Sequence, residues 1–190
     1  DLIEENWDNM VRYANYMESL ADNGFINYGN EVDWSGFSEI KVCVPAAVRD
    51  TAGAYDNCML MAKLAKLLGK GGEELWLEKA KNYKAAWRRE LIPQKQLWGS
   101  TTFLAYGLYY GMFDGDEKKE AIDLLAKHIM DNDCHVSGGY VAAAHMFTVL
   151  SENGYMDLIY KATVNETCPS YGHWAVSGLT ALAEDWDMSQ

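Results

Sequence analysis

Apolar residues recur every three to four positions along most of this chain, the period of a helix with one buried face. Trp7, Met10, Val11, Ala14 and Met17 share one such face, and Leu60, Leu64, Leu67 and Leu68 share another. Trp76, Ala80, Tyr83 and Trp87 form a third stripe, Ile122, Leu125, Ala126 and Ile129 a fourth, and Ala142, Met146, Val149 and Leu150 a fifth. The three prolines, Pro45, Pro93 and Pro169, fall between stripes, where a helix should stop or start. "LLGKGGEE" closes one helix at Gly69 and opens the next with acids near its N-terminus, and "FDGDEKK" and "SENGYMD" punctuate the chain in the same way. The pattern predicts helices near 4–22, 47–69, 73–90, 101–113, 116–131, 139–152, 155–165 and 175–185. Connections this short make neighbouring helices antiparallel hairpins.

Two segments escape the helical period: 23–45, "NGFINYGNEVDWSGFSEIKVCVP", and 166–174, "ETCPSYGHW". Long irregular loops on a helical scaffold are where function concentrates. No strict repeat of about 34 residues is present, which disfavours a tetratricopeptide array. Hairpins of unequal length with aromatic loops at one end suit an all-α fold of antiparallel helical hairpins, part of an α/α toroid. "SGGYVAAAH" and "AVSGLTALA" carry the small residues that close-packed inner helices need.

Composition narrows the function classes. The 190 residues fit one domain or part of a larger one. A net charge of −12 without a basic stripe argues against a nucleic-acid partner. No apolar run approaches the ~18 residues of a membrane helix, so no membrane partner is expected. Seven Trp and twelve Tyr in an acidic chain suit a sugar cleft, where flat rings cover C–H faces and carboxylates bind hydroxyls. Cys43, Cys58, Cys134 and Cys168 form no close-spaced framework and read as free, buried thiols. His128, His135, His145 and His173 form no metal-binding motif, and neither a metal nor an organic cofactor is expected.

Three places offer carbohydrate chemistry. Asp33-Trp34, in "EVDWSG", is either a turn with a buried indole or a carboxylate and ring that hold a sugar. Glu184, in "LAEDWD", is either a solvated acid at a helix end or a general base poised over a water. Tyr171, His173 and Trp174, in "CPSYGHWAVSG", either stack on a ring or pack the start of the next helix.

At these residues the chain resembles the C-terminal half of the catalytic domain of α-L-rhamnosidases, inverting glycoside hydrolases built on an (α/α)6 six-hairpin toroid. The likeness rests on "TAGAYDNCMLMAKLAKLLGK", on "SGGYVAAAHMFTVLSENGYMDLIYKATVNETCPSYGHW" and on "SGLTALAEDW". Asp33 and Trp34 stand where the last two residues of the family's G-D-W motif fall. Gly178, Thr180, Glu184 and Trp186 match its closing pattern, G-A-T-T-x-W-E-x-W. Several positions depart: Val32 replaces the glycine of G-D-W, Tyr171 the Trp of P-S-W-G, and Leu179, Ala181 and Ala183 replace the Ala, second Thr and first Trp of the closing pattern. Losing the Trp at 183 removes a large wall beside the base.

The resemblance implies hydrolysis of terminal α-L-rhamnosyl bonds with inversion, in a rhamnose-containing oligosaccharide or glycoside. It makes Glu184 the general base, Asp33 and Trp34 the sugar-holding pair, and Trp174 and Trp186 further walls. The family's general acid lies upstream of the G-D-W position, and no such motif precedes residue 31, so these residues should hold the second half of the toroid and be inactive alone. Half a toroid should expose apolar helix faces and invite self-association. The rival readings are a helical carbohydrate-binding or scaffold module that has lost catalysis, and an α-solenoid that binds peptides. Compartment is left open.

Overall fold

None of the four stripe leucines on the longest helix is buried, Leu64 and Leu68 being half-buried, and alanines line the face that packs. In the computed structural model, which describes residues 2–29, 44–183 and 186, Leu60 and Leu67 are exposed, whereas Ala54, Cys58, Met61, Ala62 and Ala65 are buried. Helix α3, Ala47–Leu68, lays this narrow face along α4, Glu73–Leu91. Trp76, Ala80, Tyr83, Ala86 and Trp87 on α4 are buried. Small residues on α3 leave room for these rings, so the leucine count misjudges the face where the aromatic count finds it. The Trp87 indole N–H donates to the Val48 carbonyl at 3.1 Å, tying α4 to the start of α3.

This pair belongs to the first of two compact units, built from residues 2–29 and 45–94. It opens with α1, Leu2–Glu5, and α2, Trp7–Ser19, one expected helix broken in two at Asn6. Trp7, Met10, Val11 and Met17 pack partly buried around Ala14 and the α3–α4 core. Gly69 closes α3 with φ 63°, and the Lys70 amide reaches back to the Ala65 carbonyl at 3.0 Å. That is the glycine-terminated cap the sequence predicts.

The second unit, described at residue 44 and over residues 95–183 and 186, has as its first element a 3₁₀ turn, Lys95–Gly99, that the apolar period does not reveal. Helix α5, Thr101–Tyr109, is buried along most of its length and is capped by Ser100, whose Oγ accepts the Phe103 amide at 3.3 Å. It stops at Tyr109, short of the expected residue 113, because Gly111 takes φ 66° and turns the chain. Helices α6, Gly115–Asp131, and α7, Tyr140–Glu152, bury the predicted stripes against it. Helix α8, Met156–Val164, follows, and α9, Tyr171–Val176, is a short last helix.

The expected helix over 175–185 does not form within the described residues. Helix α9 starts earlier, at the Ser170 cap, and ends at Val176. Gly178 adopts φ 82° and the Leu179 amide bonds the Trp174 carbonyl at 3.2 Å, the same terminator that closes α3. Residues 179–183 are irregular. Among the described residues the protein is all-α: nine α-helices, one 3₁₀ turn and no strand, with isolated bridge positions at Asp22, Phe25 and Gly138. No helix is long and apolar enough to cross a membrane.

Candidate functional site

Asp33, Trp34 and Glu184 lie outside the described residues, as does the shared hollow expected for positions 34 and 184. What is described are the residues that flank them in the chain. Of the predicted site residues, Trp174 and Trp186 are brought together.

The stretch that leads toward Asp33 is fixed to the first turn of α3. The Thr51 hydroxyl accepts the Ile26 amide and donates to the Ile26 carbonyl, both at 2.9 Å. Ile26 is fully buried, so each of those backbone groups would cost about 1–3 kcal/mol if left unbonded. Asp50 Oδ2 accepts the amides of Tyr28 and Gly29 at 3.1 and 3.0 Å, while Oδ1 accepts Arg49 Nε at 2.8 Å and Nη2 at 2.6 Å. The Ala47 amide, an unpaired donor at the helix start, finds Asn27 Oδ1 at 3.2 Å. Both Asp50 oxygens are therefore engaged in holding this loop.

A pocket of about 170 Å³ in the same unit is lined by Glu18, Ala21, Gly24, Lys79, Asn82 and Tyr83. Its Lys79–Glu18 ion pair spans 2.7 Å, and its volume is below the range usual for ligand sites.

The flanks of Glu184 are tied more elaborately, to α7, α9 and the loops before them. Upstream, the Tyr140 hydroxyl donates to the Ala183 carbonyl at 2.9 Å. Downstream, the Trp186 indole N–H donates to the Gly138 carbonyl at 3.1 Å. The carbonyl of Trp186 accepts the Trp174 indole N–H at 3.1 Å and the Cys168 thiol at 3.4 Å. The two indoles stack with centroids 4.8 Å apart and planes at 19°. Tyr171 stands edge-on to both, 5.4 Å from Trp174 and 5.1 Å from Trp186. Burial raises its phenol pKa above the usual value.

These contacts bear on the expected role of the tryptophans. Trp174 is 3% exposed and Trp186 0%. Rings so enclosed offer little free face to a sugar. Their N–H groups and stacked planes instead tie the backbone at Trp186 to α9 and the Trp186 ring to Gly138. Tyr140, Gly138 and Cys168 complete this support, and sequence reading misses all three. Tyr140 and Ala183 are 43 positions apart, and no local pattern links them.

The loop before α9 is braced from within. Asn165 Oδ1 accepts the Thr167 amide at 3.0 Å and its hydroxyl at 2.7 Å, and Asn165 Nδ2 donates to the Asp133 carbonyl at 3.0 Å. His135 bridges Asn132 O at 3.0 Å and Thr167 Oγ1 at 2.8 Å. Ser170 accepts the His173 amide at 3.0 Å, and its hydroxyl bonds the Asn165 carbonyl. A Cβ on Gly172 would lie 2.5 Å from Asn165 O and 2.6 Å from Val164 C, so only glycine permits this approach of α9 to the end of α8.

Elsewhere in the unit His145 sits among Tyr106, Tyr109 and Tyr110, stacked on Tyr109 with centroids 3.8 Å apart. It is buried, its Nε2 has no hydrogen-bond partner, and burial pushes its pKa down to about 4. Cys58 is buried and Cys134 and Cys168 half-buried, none of the three in a disulfide. Cys43 lies outside the described residues. Among the described residues no group of three or more His, Cys, Asp or Glu is placed to hold a metal.

Comparison with known proteins gives this arrangement a context. The family model for the bacterial α-L-rhamnosidase six-hairpin glycosidase domain matches residues 1–190. An α-L-rhamnosidase of Formosa agariphila is 26% identical over 195 residues, covering 98% of this chain and 21% of that protein. One of Streptomyces avermitilis is 27% identical, covering 94% of this chain and 17% of that protein. The chain thus spans about a fifth of the length of the curated relatives it matches. Among solved structures, the α-L-rhamnosidase from Dictyoglumus thermophilum superposes with a TM-score of 0.88 at 25% identity, over 97% of this chain and 22% of that one. The Streptomyces avermitilis enzyme, solved with L-rhamnose, also gives 0.88, at 22% identity, over 99% of this chain and 18% of that one, a likeness of fold.

Proposed function

The chain belongs to the bacterial α-L-rhamnosidase six-hairpin glycosidase family, and from that membership we propose that the protein carrying it hydrolyses terminal α-L-rhamnosyl bonds with inversion. Glu184 is the general base. Its carboxylate takes a proton from a water whose oxygen attacks the anomeric carbon from the face opposite the leaving oxygen. A carboxylic acid supplied by residues upstream of this chain protonates that leaving oxygen as the bond breaks. The two carboxyl groups stand ~6.5–9.5 Å apart, which leaves room for the water.

Asp33 accepts sugar hydroxyls and Trp34 covers an apolar sugar face. Trp174 and Trp186 act beneath the site rather than as open walls, because their faces pack on each other. Ala183 stands where the family carries a Trp, which makes the space beside the base wider.

The observation that carries this reading is the family match over the whole of residues 1–190; the assignment of Glu184 rests on its place in "SGLTALAEDW". The test is the anomer first released when the intact protein cleaves an aryl α-L-rhamnoside, followed by proton NMR. Release of β-L-rhamnose is expected. Release of the α-anomer, or no cleavage, would contradict the proposal. Residues 1–190 alone are expected to give no turnover, since Asp50 is committed to its loop and the acid comes from elsewhere.

A further inference from the structure

We infer that Tyr140 is a positioning residue for Glu184, acting through the carbonyl of Ala183; this rests on the reading of Glu184 as the base. The Ala183 carbonyl and the Glu184 nitrogen belong to one peptide unit, which is planar and stiff. A hydrogen bond that fixes this oxygen therefore fixes the orientation of the plane from which Glu184 departs. The Tyr140 hydroxyl makes that bond at 2.9 Å.

Helix α9 ends at Val176, and 179–183 form neither helix nor strand. Among the described residues, the last backbone–backbone bond in this stretch is Leu179 N–H to Trp174 O, at 3.2 Å. Beyond it, described backbone ties come from side chains: Tyr140 at 183, and Trp174 and Cys168 at 186. Tyr140 is well suited to the task. It is the first residue of α7, a 13-residue helix with a buried apolar face, so its backbone is anchored. Its ring also lies 6.1 Å from the Trp186 indole, which directs the hydroxyl along the flank of the same buried cluster. Mounting a reactive group on rigid supports at both ends is what base catalysis needs, because a displacement of about 1 Å can cost ~100-fold in rate.

The test is a double-mutant cycle in the intact protein, with an aryl α-L-rhamnoside as substrate. Tyr140→Phe keeps the ring and removes the donor. It is expected to lower kcat about tenfold or more while KM stays within about twofold, since a shifted base weakens the transition state and leaves ground-state binding alone. In a Glu184→Gln background the same change is expected to cost less than about twofold, because the group it positions is gone. An unchanged kcat in Tyr140→Phe, or an equal loss in both backgrounds, would overturn the inference while leaving Glu184 as the base. Full turnover by Glu184→Gln itself would overturn both. If Tyr140→Phe does not fold, Tyr140→Met removes the donor with a flexible apolar side chain in the ring's place and carries the same expectations and contradictions.

Discussion

The indole of Trp186 lies parallel to that of Trp174, 4.8 Å centroid to centroid, and the Trp174 N–H bonds the carbonyl of Trp186 itself. One residue of α9 thus grips its partner twice, by ring and by backbone. Position 186 follows Glu184 by two residues in sequence, so this grip fixes a near neighbour of the proposed base.

Truncating this ring should be costly. Trp186→Ala empties a fully buried site and deletes the donor to the Gly138 carbonyl. A loss of about 3–5 kcal/mol is expected. Trp186→Phe retains much of the volume and should lose less, since it mainly forfeits the hydrogen bond. Urea denaturation of the chain reads both, and near wild-type stability of Trp186→Ala would show that the cluster does not support this unit.

Gly172→Ala adds a single methyl group yet should be severe. The new carbon would meet the backbone of Val164 and Asn165 at 2.5–2.7 Å, and backbone cannot swing aside as a flexible side chain can. A destabilisation above ~2 kcal/mol is expected, with α9 displaced from α8. Gly69→Ala is the useful contrast: it carries the strain of a positive φ, which Gly172 lacks, but nothing lies within 4 Å of the added atom. Similar losses for the two variants, by thermal denaturation, would contradict the steric argument.

His145 should make the second unit acid-sensitive. Burial lowers its pKa from 6.5 to about 4, so the folded state favours the neutral ring. The unfolded chain binds the proton first as pH falls. The stabilisation is complete above about pH 6.5 and is lost between there and about pH 4, a swing of at most ~3 kcal/mol. His145→Phe keeps an aromatic ring on Tyr109 and removes the titration. Its melting temperature should therefore fall less than that of the wild type across this interval. Parallel curves for the two proteins would show that the imidazole does not titrate as described.

How much was readable in advance follows from where each signal lives. Helix ends marked by glycine were legible: Gly69 closes α3 as the sequence suggests. The stripes on α4, α6 and α7 were legible because large apolar residues at helical spacing are buried there. The leucines of α3 misled, since the face that packs is made of alanines fitted to the rings of α4. The run after Val176 misled as well. Ala and Leu favour a helix, but Gly178 takes the left-handed conformation and ends it. Trp174 and Trp186 read as walls of a sugar site, and their burial against each other was not legible, because stacking on a sugar and stacking on each other require the same residues. The bond from Tyr140 to Ala183 was invisible, being a contact across 43 positions.

The central claim is that Glu184 is the base of a rhamnoside-cleaving enzyme, and Glu184→Gln in the intact protein tests it most directly. The side-chain amide is nearly isosteric but cannot take a proton from water. The account predicts that kcat on an aryl α-L-rhamnoside falls by about 10²–10⁴, while rhamnose binding measured by calorimetry changes little. Turnover within a few-fold of the wild-type rate would contradict it.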